Sequence, residues 1–538
     1  MKERNKYDYV IIGTGSAALT FGALMANAGK RVCMLEAHDI PGGYAQSFKW
    51  GEFYFCGQVH YIWGCGPGGK ITRFLEKVGL EKDITFELHD PDGYDHMSMP
   101  DGKVVGIPYG WERLAKNIEA AYPGQGETIR KLTAILAKIR NEVRHLMDTQ
   151  DNVRWWQYLT QGWKYRTLIR YRNKTVQDVF DECGLSREAQ NVLFANAGDM
   201  MEPPERVSIF AYTGLFGGYN NGAYYPTKHF KYYIERLADF ITSHKGCRIY
   251  YKSEVVEIIE NGKRITGVKT KDGKVITGTN YICNMDPQRA SRMIGLDKFP
   301  KRFLKKLSYK YSPSGIMIYL GLKNAPLKEH GFGKWNIWHC TDWDMNAMWR
   351  RMGKGDFSRP WVFVSTPTLH TDVRGTVAPL DCDIMEIAAY TEYQWLEDLK
   401  QKDYKLYEAK KNELAERMID IIAERFFPNL RTYIVTKVVG TASSNEYWAW
   451  APKGNAYGAT FTPDQVGPKR LKAKTPWPNF FWCNATSGYA GIHGTVGTGM
   501  DLYMDLTGDR FYREPEAPTD DERVAEAYAR GKREQSSS

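Results

Sequence analysis

Residues 7–43 read Tyr-Asp-Tyr-Val-Ile-Ile-Gly13-Thr-Gly15-Ser16-Ala17-Ala18-Leu-Thr-Phe-Gly-Ala-Leu-Met-Ala-Asn-Ala-Gly29-Lys-Arg-Val-Cys-Met-Leu-Glu36-Ala37-His-Asp-Ile-Pro-Gly42-Gly43, and this stretch decides the fold. A short apolar run is followed at once by glycines. Ala23, Leu24 and Ala26 then place small and apolar residues at helical spacing, and a second apolar run ends on an acid. This is a strand–helix–strand unit carrying a dinucleotide-binding fingerprint. Gly13 permits the tight turn, Gly15 lets a pyrophosphate approach the backbone, and Ala18 allows the helix to pack closely on the strand. The helix N-terminus offers unpaired N–H groups and partial positive charge to phosphates. Glu36 stands where a carboxylate accepts ribose hydroxyls and opposes a 2′-phosphate.

A chain of 538 residues exceeds one hydrophobic core and predicts two or three domains. Composition is that of a globular protein, 43% hydrophobic and 25% charged, with 14% aromatic residues that suit an apolar pocket, a membrane-facing surface or a large aromatic core. A net charge of +10 without zinc-finger spacing or a nucleic-acid motif favours anionic lipid or an acidic cofactor over nucleic acid, and no metal site is expected. Nine scattered cysteines without a Cys-x-x-Cys pair suggest free thiols in a reducing compartment, hence a cytoplasmic location. The first six residues run directly into the first strand, which leaves no room for a signal peptide. No apolar run reaches the ~18 residues needed to span a bilayer.

Further along, Gly42-Gly43 offers a second close backbone approach. The piece Gly57-Gln-Val-His60-Tyr61 contains the one group in its neighbourhood that titrates near neutrality, His60, a candidate for chemistry or a structural histidine. Residues 111–180 have a helical period. Within them Arg154-Trp155-Trp156 to Arg170-Tyr171-Arg172 interleaves bases with large aromatics, a pattern that docks on anionic membranes or packs its rings inward. Residues 207–225, rich in Gly, Tyr and Phe, suggest a pocket wall or lid, or else a surface loop packed by its own rings, with Tyr219 among them. Residues 248–283 carry short runs separated by Asn261-Gly262 and Asp272-Gly273, which predict hairpins. Longer strands (315–322, 361–366, 384–390) and a helix (404–427) mark a substrate domain, whose Trp335, Trp338, Trp343 and Trp349 suit either an apolar tunnel or core packing. Asn479 to Met500 reads as a strand, then glycines, then a helix, and so presents a second helix N-terminus near Tyr489 and His493. The residues from Glu514 are charged and predict a fraying tail.

Together, the phosphate loop through Gly43, Gly57–Tyr61, Ser312–Leu322, Asn455–Gly458 and Gly491–Gly499 resemble the flavin-dependent phytoene desaturase, carotenoid isomerase and retinol saturase family. That family lies within the amine-oxidase-like flavoproteins, and the Gly57–Tyr61 piece looks closest to its isomerase and saturase branch. The resemblance implies an α/β fold with a Rossmann-type FAD-binding domain, a mixed-sheet substrate domain and a helical cap. It implies FAD-binding parts at 1–85, 206–295 (with a small inserted sheet) and 461–513, a cap at 86–205, a substrate domain at 296–460 and a flexible tail at 514–538. FAD contacts would fall on Gly13, Gly15, Ser16, Ala17, Glu36, Ala37, Gly42, Gly43, Ser47, Val255, Asn284, Gly494, Thr495 and Val496. The implied activity is an oxidoreductase saturating, desaturating or isomerising C=C bonds of a conjugated polyene or isoprenoid lipid. Its proton donors would come from His60, Tyr219, Tyr489 and His493. Peripheral membrane contact would run through Arg154–Arg172. An amine- or porphyrinogen-oxidase-type enzyme and a prenyl-binding carrier are the alternatives on related scaffolds. The sequence departs from the family at Thr227-Lys228, Val439-Gly440-Thr441, Asn484 and His493, which bear on the substrate more than on the fold.

Overall fold

The computed structural model describes residues 7–149, 162–516 and 518–535. Its first layer is a five-stranded parallel sheet in which the strand Tyr7–Ile12 sits between Val32–Leu35 and Gly278–Cys283, with Arg248–Tyr250 and Phe480–Trp482 at the edges. Strands buried on both faces need continuous apolar runs, which Val10-Ile11-Ile12 and Val32-Cys33-Met34-Leu35 supply. The helix Ser16–Asn27 is buried from Ser16 to Ala26. It can be so because the helix Gly491–Thr507 meets it through Gly499, where a Cβ would lie 2.6 Å from the Ala17 carbonyl oxygen. A three-stranded antiparallel sheet (Val255–Glu260, Ile265–Thr270, Val275–Ile276) covers one side of this layer, in one buried cluster with Val10, Ile12 and Leu35.

The second layer is a seven-stranded mixed sheet in the order Ile434–Gly440, Ser314–Lys323, Cys382–Thr391, Trp361–Ser365, Asn336–Cys340, Asp95–Ser98, Val104–Ile107. The pairing of Asn336–Cys340 with Asp95–Ser98 is parallel; the others are antiparallel. Helices Trp111–Ala121, Gly126–Thr149, Val176–Cys183 and Ile209–Asn220 pack into one large core with this sheet. The Rossmann-type layer, the mixed sheet and the helices agree with the expected α/β class.

Four local expectations change. The strand Arg248–Tyr250 is not part of a hairpin but the fifth strand of the parallel sheet, because it pairs with Val32–Leu35. Residues 207–225 form the helix Ile209–Asn220 and the strand Tyr224–Pro226 rather than a surface loop; Ser208 caps the helix by accepting the Phe210 N–H, and Gly218 packs closely on Trp63. The segment 86–205, expected to be helical, opens with strands that complete the mixed sheet. Within the expected tail, Asp520–Gln535 is a helix whose Arg523 and Ala527 are buried, held by Arg523 donating to Asn220 and lying over the Trp111 ring. Its charges hid this docking because the sequence shows neither partner.

Trp338 and Trp349 are core residues packed around Trp361, with ring centroids 5.7 and 5.4 Å away. All nine cysteines are buried, and none forms a disulfide among the described residues. Among the described residues no helix is long and apolar enough to cross a membrane.

Candidate functional site

Gly13 has φ +95°, in the left-handed region that an L side chain resists, and this turns the chain from strand into helix. The Gly42-Gly43 turn folds back onto the loop. The Gly42 N–H donates to the Thr14 carbonyl at 3.1 Å, and a Cβ on Gly43 would sit 3.4 Å from Gly15 Cα. A Cβ on Gly15 would lie 2.5 Å from Asn284 Oδ1, which accepts the Gly15 N–H at 2.9 Å, while Asn284 Nδ2 donates to the Cys483 carbonyl at 2.6 Å. One amide thus ties the phosphate loop to the edge strand of the sheet. Glu36 accepts the N–H groups of Thr14 and His38, both at 3.0 Å, and Ser253 donates its N–H to the Glu36 carbonyl at 2.7 Å. The segment leading into Val255 therefore runs beside Glu36 and Ala37.

Two observations fit this cradle to a dinucleotide. The hydroxyls of Ser16, in the first turn of the helix, and Ser47, just beyond the Gly-Gly turn, are buried without a hydrogen-bond partner. Unsatisfied buried hydroxyls are costly, and phosphate or ribityl oxygens are the partners such positions suit. The first helical N–H groups above Gly15 likewise lack intrahelical acceptors. At the second helix N-terminus, Gly494 lets the chain pass Tyr489, where a Cβ would meet the Tyr489 carbonyl carbon at 2.7 Å. The Thr495 hydroxyl donates to Gly491, and Val496 is buried.

Beyond the cradle lies a packed cluster of rings, here termed the chamber. Tyr61 stacks on Tyr219 (centroids 3.9 Å apart, planes 7° apart), Tyr219 meets the edge of Trp63 at 4.7 Å, and Trp63 stacks on His493 at 4.9 Å. Gly218 and Gly64 admit these contacts: a Cβ would fall 2.5 Å from Trp63 Nε1 in the first case and 2.6 Å from His493 Cδ2 in the second. Buried polar groups lie beside the rings, some in pairs and some, such as Glu386 Oε1 and Asn196 Oδ1, without a partner. His60 Nδ1 lies 2.7 Å from Glu386 Oε2, with both residues buried. Tyr61 and Asn196 donate to Asp95, and Tyr457 donates to Asp199 at 2.8 Å. Burial pushes the Asp95 carboxyl up to about 7 against the hydrogen bonds it accepts. Asp199 is raised by burial too, with nearby His60 opposing the shift. His493 falls well below the usual histidine range because burial and the charges of Lys70 and Arg140 disfavour its cation.

The structure brings His60, Tyr219 and His493 to this ring system. Tyr489, 52% exposed, stands outside it beside the second helix N-terminus. Sequence reasoning missed Glu386, Asp95 and Asp199. Glu386 left a signal: it is the one carboxylate in Ile384–Tyr390, inside a strand buried from end to end. Of the departures from the family pattern, Thr227 and Lys228 lie outside the ring system, bonded to Thr85 and Asp83. Thr441 begins a helix and shares a hydrogen bond with Tyr407, and Asn484 binds the Met285 carbonyl.

Residues 11–78 match the model of an NAD(P)-binding Rossmann-like domain. The chain is 24% identical to a chloroplastic prolycopene isomerase of Daucus carota over 469 residues, 84% of this chain and 72% of that protein. It is 22% identical to an all-trans-retinol 13,14-reductase of Danio rerio over 523 residues, covering 91% of this chain and 84% of that one. Among solved structures, putrescine oxidase bound to putrescine superposes with a TM-score of 0.65 at 14% identity, covering 93% of this chain and 99% of the other. Cyclohexylamine oxidase from Brevibacterium oxydans gives 0.60 at 14%, with 93% and 99% covered. The fold is that of the flavin amine oxidases.

Proposed function

We propose that this chain, a homologue of the prolycopene isomerases and all-trans-retinol 13,14-reductases, is an FAD-dependent oxidoreductase acting on C=C bonds of a conjugated polyene or isoprenoid lipid. The observation that carries this reading is the adjacency of a dinucleotide cradle to a buried cluster of aromatic rings, joined through His493 in the first turn of the second helix. Apolar surroundings of this kind suit a polyene and exclude water from the reacting bond. When bound, FAD supplies hydride transfer to or from carbon.

The chain's own residues do the rest. Gly13, Gly15, Ser16 and Ala17 would hold the pyrophosphate. Glu36, Ala37 and Val255 would hold the adenosine, and Gly42, Gly43, Ser47 and Asn284 the middle of the cofactor. Gly494, Thr495 and Val496 would hold its ring. Among the proton donors His60 is best placed: Glu386 fixes its Nδ1–H, so Nε2 is the nitrogen that exchanges a proton with substrate. Tyr219 already donates to the Tyr61 carbonyl at 3.4 Å, burial keeps His493 neutral, and Tyr489 is open to solvent.

Anaerobic incubation with a panel of polyenes, once with oxidised and once with chemically reduced protein, tests the reading by product mass. Loss of two hydrogens identifies a desaturase, gain of two a saturase, and a changed retention time at constant mass an isomerase. A colourless protein, or a yellow one that changes none of them, overturns it.

The protein is further proposed to be cytoplasmic and to touch anionic membrane through Arg154–Arg172. Residues 154–161 of that stretch lie outside the described ones; in the remainder Trp163 is exposed while Tyr165 and Tyr171 are buried. Replacing Trp155, Trp156 and Trp163 with Ser should weaken co-sedimentation with anionic liposomes, and unchanged binding removes the contact.

A further inference from the structure

The chain that follows the strand Ile434–Gly440 leaves the mixed sheet and reaches the cradle, as the helix Ala442–Trp448 and the turn Pro452–Gly454. His38, two residues past Glu36, receives it. His38 Nε2 lies 3.0 Å from the Tyr447 carbonyl oxygen and 3.0 Å from Trp450 Nε1. One nitrogen serves one of these at a time: bare, it accepts the indole N–H; protonated, it donates to the carbonyl. Either way His38 is tied to this segment. Farther along, Tyr44, next to the Gly42-Gly43 turn, donates its hydroxyl to the Asn455 carbonyl. The segment therefore runs beside residues 36–44, from the Glu36 end to the Gly-Gly turn. Asn445 anchors it, donating to Ser314 Oγ and to the Gly454 carbonyl and accepting from Gln58, each at 3.3 Å. The guanidinium of Arg289, from the helix Pro287–Ile294 that follows Asn284, lies 3.9 Å from the centroid of the Trp450 ring. Glu254, Asp286 and Glu446 act on Arg289 too, so it has carboxylate neighbours and serves here to hold the indole.

The backbone is strained at this meeting point. Among the described residues six non-glycine residues take the left-handed conformation, and three of them are here. They are Trp450 at φ +54°, Lys453 at φ +58°, and Lys252 at φ +52°, whose N–H donates to the His38 carbonyl at 2.9 Å. Such conformations are costly for L side chains, persist where their surroundings fix them, and gather at ligand clamps. Gly454, at φ +58°, packs so closely that a Cβ would lie 2.1 Å from the Ala442 carbonyl oxygen. We propose that Asn445–Asn455 is a clasp which the mixed-sheet layer lays along the adenosine half of FAD, with Trp450 closing the adenosine end beside Glu36, Ala37 and Val255. The inference rests on the cofactor assigned above and adds residues that the phosphate-loop fingerprint does not contain. Tyr447, Trp448 and Lys453 are exposed, so the outer side of the clasp faces solvent.

The test follows FAD release from the flavin-loaded protein on dilution, read by the fluorescence of free flavin, with no substrate present. Trp450→Ala should release FAD about tenfold faster, the worth of one ring contact and its hydrogen bond, while the absorption spectrum of the flavin still bound stays that of the parent. Trp450→Phe, which keeps a ring and loses the N–H, should fall between the two. An unchanged release rate in Trp450→Ala overturns the proposal. So does faster release with a shifted spectrum, which places the damage at the ring end of the cofactor. A second measurement uses the parent protein alone. Trypsin should cut after the exposed Lys453 about tenfold more slowly when FAD is bound than after its release, and added ADP should restore the protection where FMN, which lacks the adenosine half, does not. Equal cleavage in all states, or protection by FMN as strong as by ADP, overturns the clasp. Neither readout depends on turnover. A protein that holds FAD through Trp450 and changes no polyene keeps the clasp and overturns the substrate reading; polyene turnover with FAD release unaltered in both variants overturns the clasp alone.

Discussion

The cradle and the chamber are built by different means. Most of the cradle's parts lie within one strand–helix–strand unit: Gly13, Gly15 and Glu36 are local neighbours, and only Asn284, Val255 and the second helix N-terminus arrive from afar. The chamber is assembled almost wholly over distance. His60 finds Glu386 across 326 residues, Tyr61 finds Tyr219 across 158, and Tyr457 finds Asp199 across 258. A local site needs particular residues at fixed spacing, because backbone geometry does the binding. A distributed site needs only that some element deliver a suitable side chain, so its spacing carries no signature. Substitutions in the two regions should therefore fail in different ways.

The largest effect is expected in the cradle. Gly15→Val places a branched side chain where a single Cβ already comes within 2.5 Å of Asn284 Oδ1, and it closes the approach to the phosphates. The variant should fold and purify without yellow colour; full flavin occupancy would refute the placement of the pyrophosphate. The contrast sharpens with Gly15→Ala. Its main clash is with the end of one side chain, so adding Asn284→Ala should restore part of the flavin content.

In the chamber the first casualty should be stability. Glu386→Ala leaves His60 buried without its partner, and breaking a buried pair in this way costs about 3–5 kcal/mol. Glu386→Gln keeps an acceptor for the Nδ1–H and should cost about 1–2 kcal/mol. Urea unfolding separates the two. Equal losses would mean that His60 does not depend on the carboxylate.

The same contrast explains what the sequence made legible. The βαβ unit, the phosphate loop and the long strands of the second sheet were readable because each is written in consecutive residues with a fixed period. The resemblance to a flavoprotein family carried the rest of the architecture. The chamber's carboxylates were not readable: Asp95 sits in Asp-His-Met-Ser, which could be any edge strand, and Asp199 follows a short helix. Docking of the C-terminal helix on Trp111 and Asn220 was hidden for the same reason. Its sequence is charged, and the groups that neutralise and cover it lie about 300 residues or more away, as the Arg523–Asn220 separation of 303 shows.

Asp95 gives the chamber a pH signature. With its carboxyl near 7 in the folded protein and about 3.9 in the unfolded chain, the folded state holds an extra proton between those values. Stability from this group therefore falls as pH rises from about 4 to about 7, and is level above that. Asp95→Asn, which cannot ionise, should flatten the slope of unfolding free energy in this window. It should also gain up to about 4 kcal/mol on the parent at pH 8. An unchanged slope would show that Asp95 is ionised throughout.

The smallest effect should come from Tyr219→Phe, and it bears on the choice among proton donors. The ring stack on Tyr61 and the edge contact with Trp63 use carbon atoms that the substitution keeps. Only the 3.4 Å hydrogen bond to the Tyr61 carbonyl is lost, worth about 1 kcal/mol or less. If Tyr219 serves as a wall, the variant should keep its flavin, its stability within that margin and its turnover on whichever polyene the panel identifies. If turnover falls a hundredfold or more while substrate affinity holds, the hydroxyl supplies the proton. His60 then becomes a positioning group and the buried Glu386 a support for the chamber rather than for chemistry.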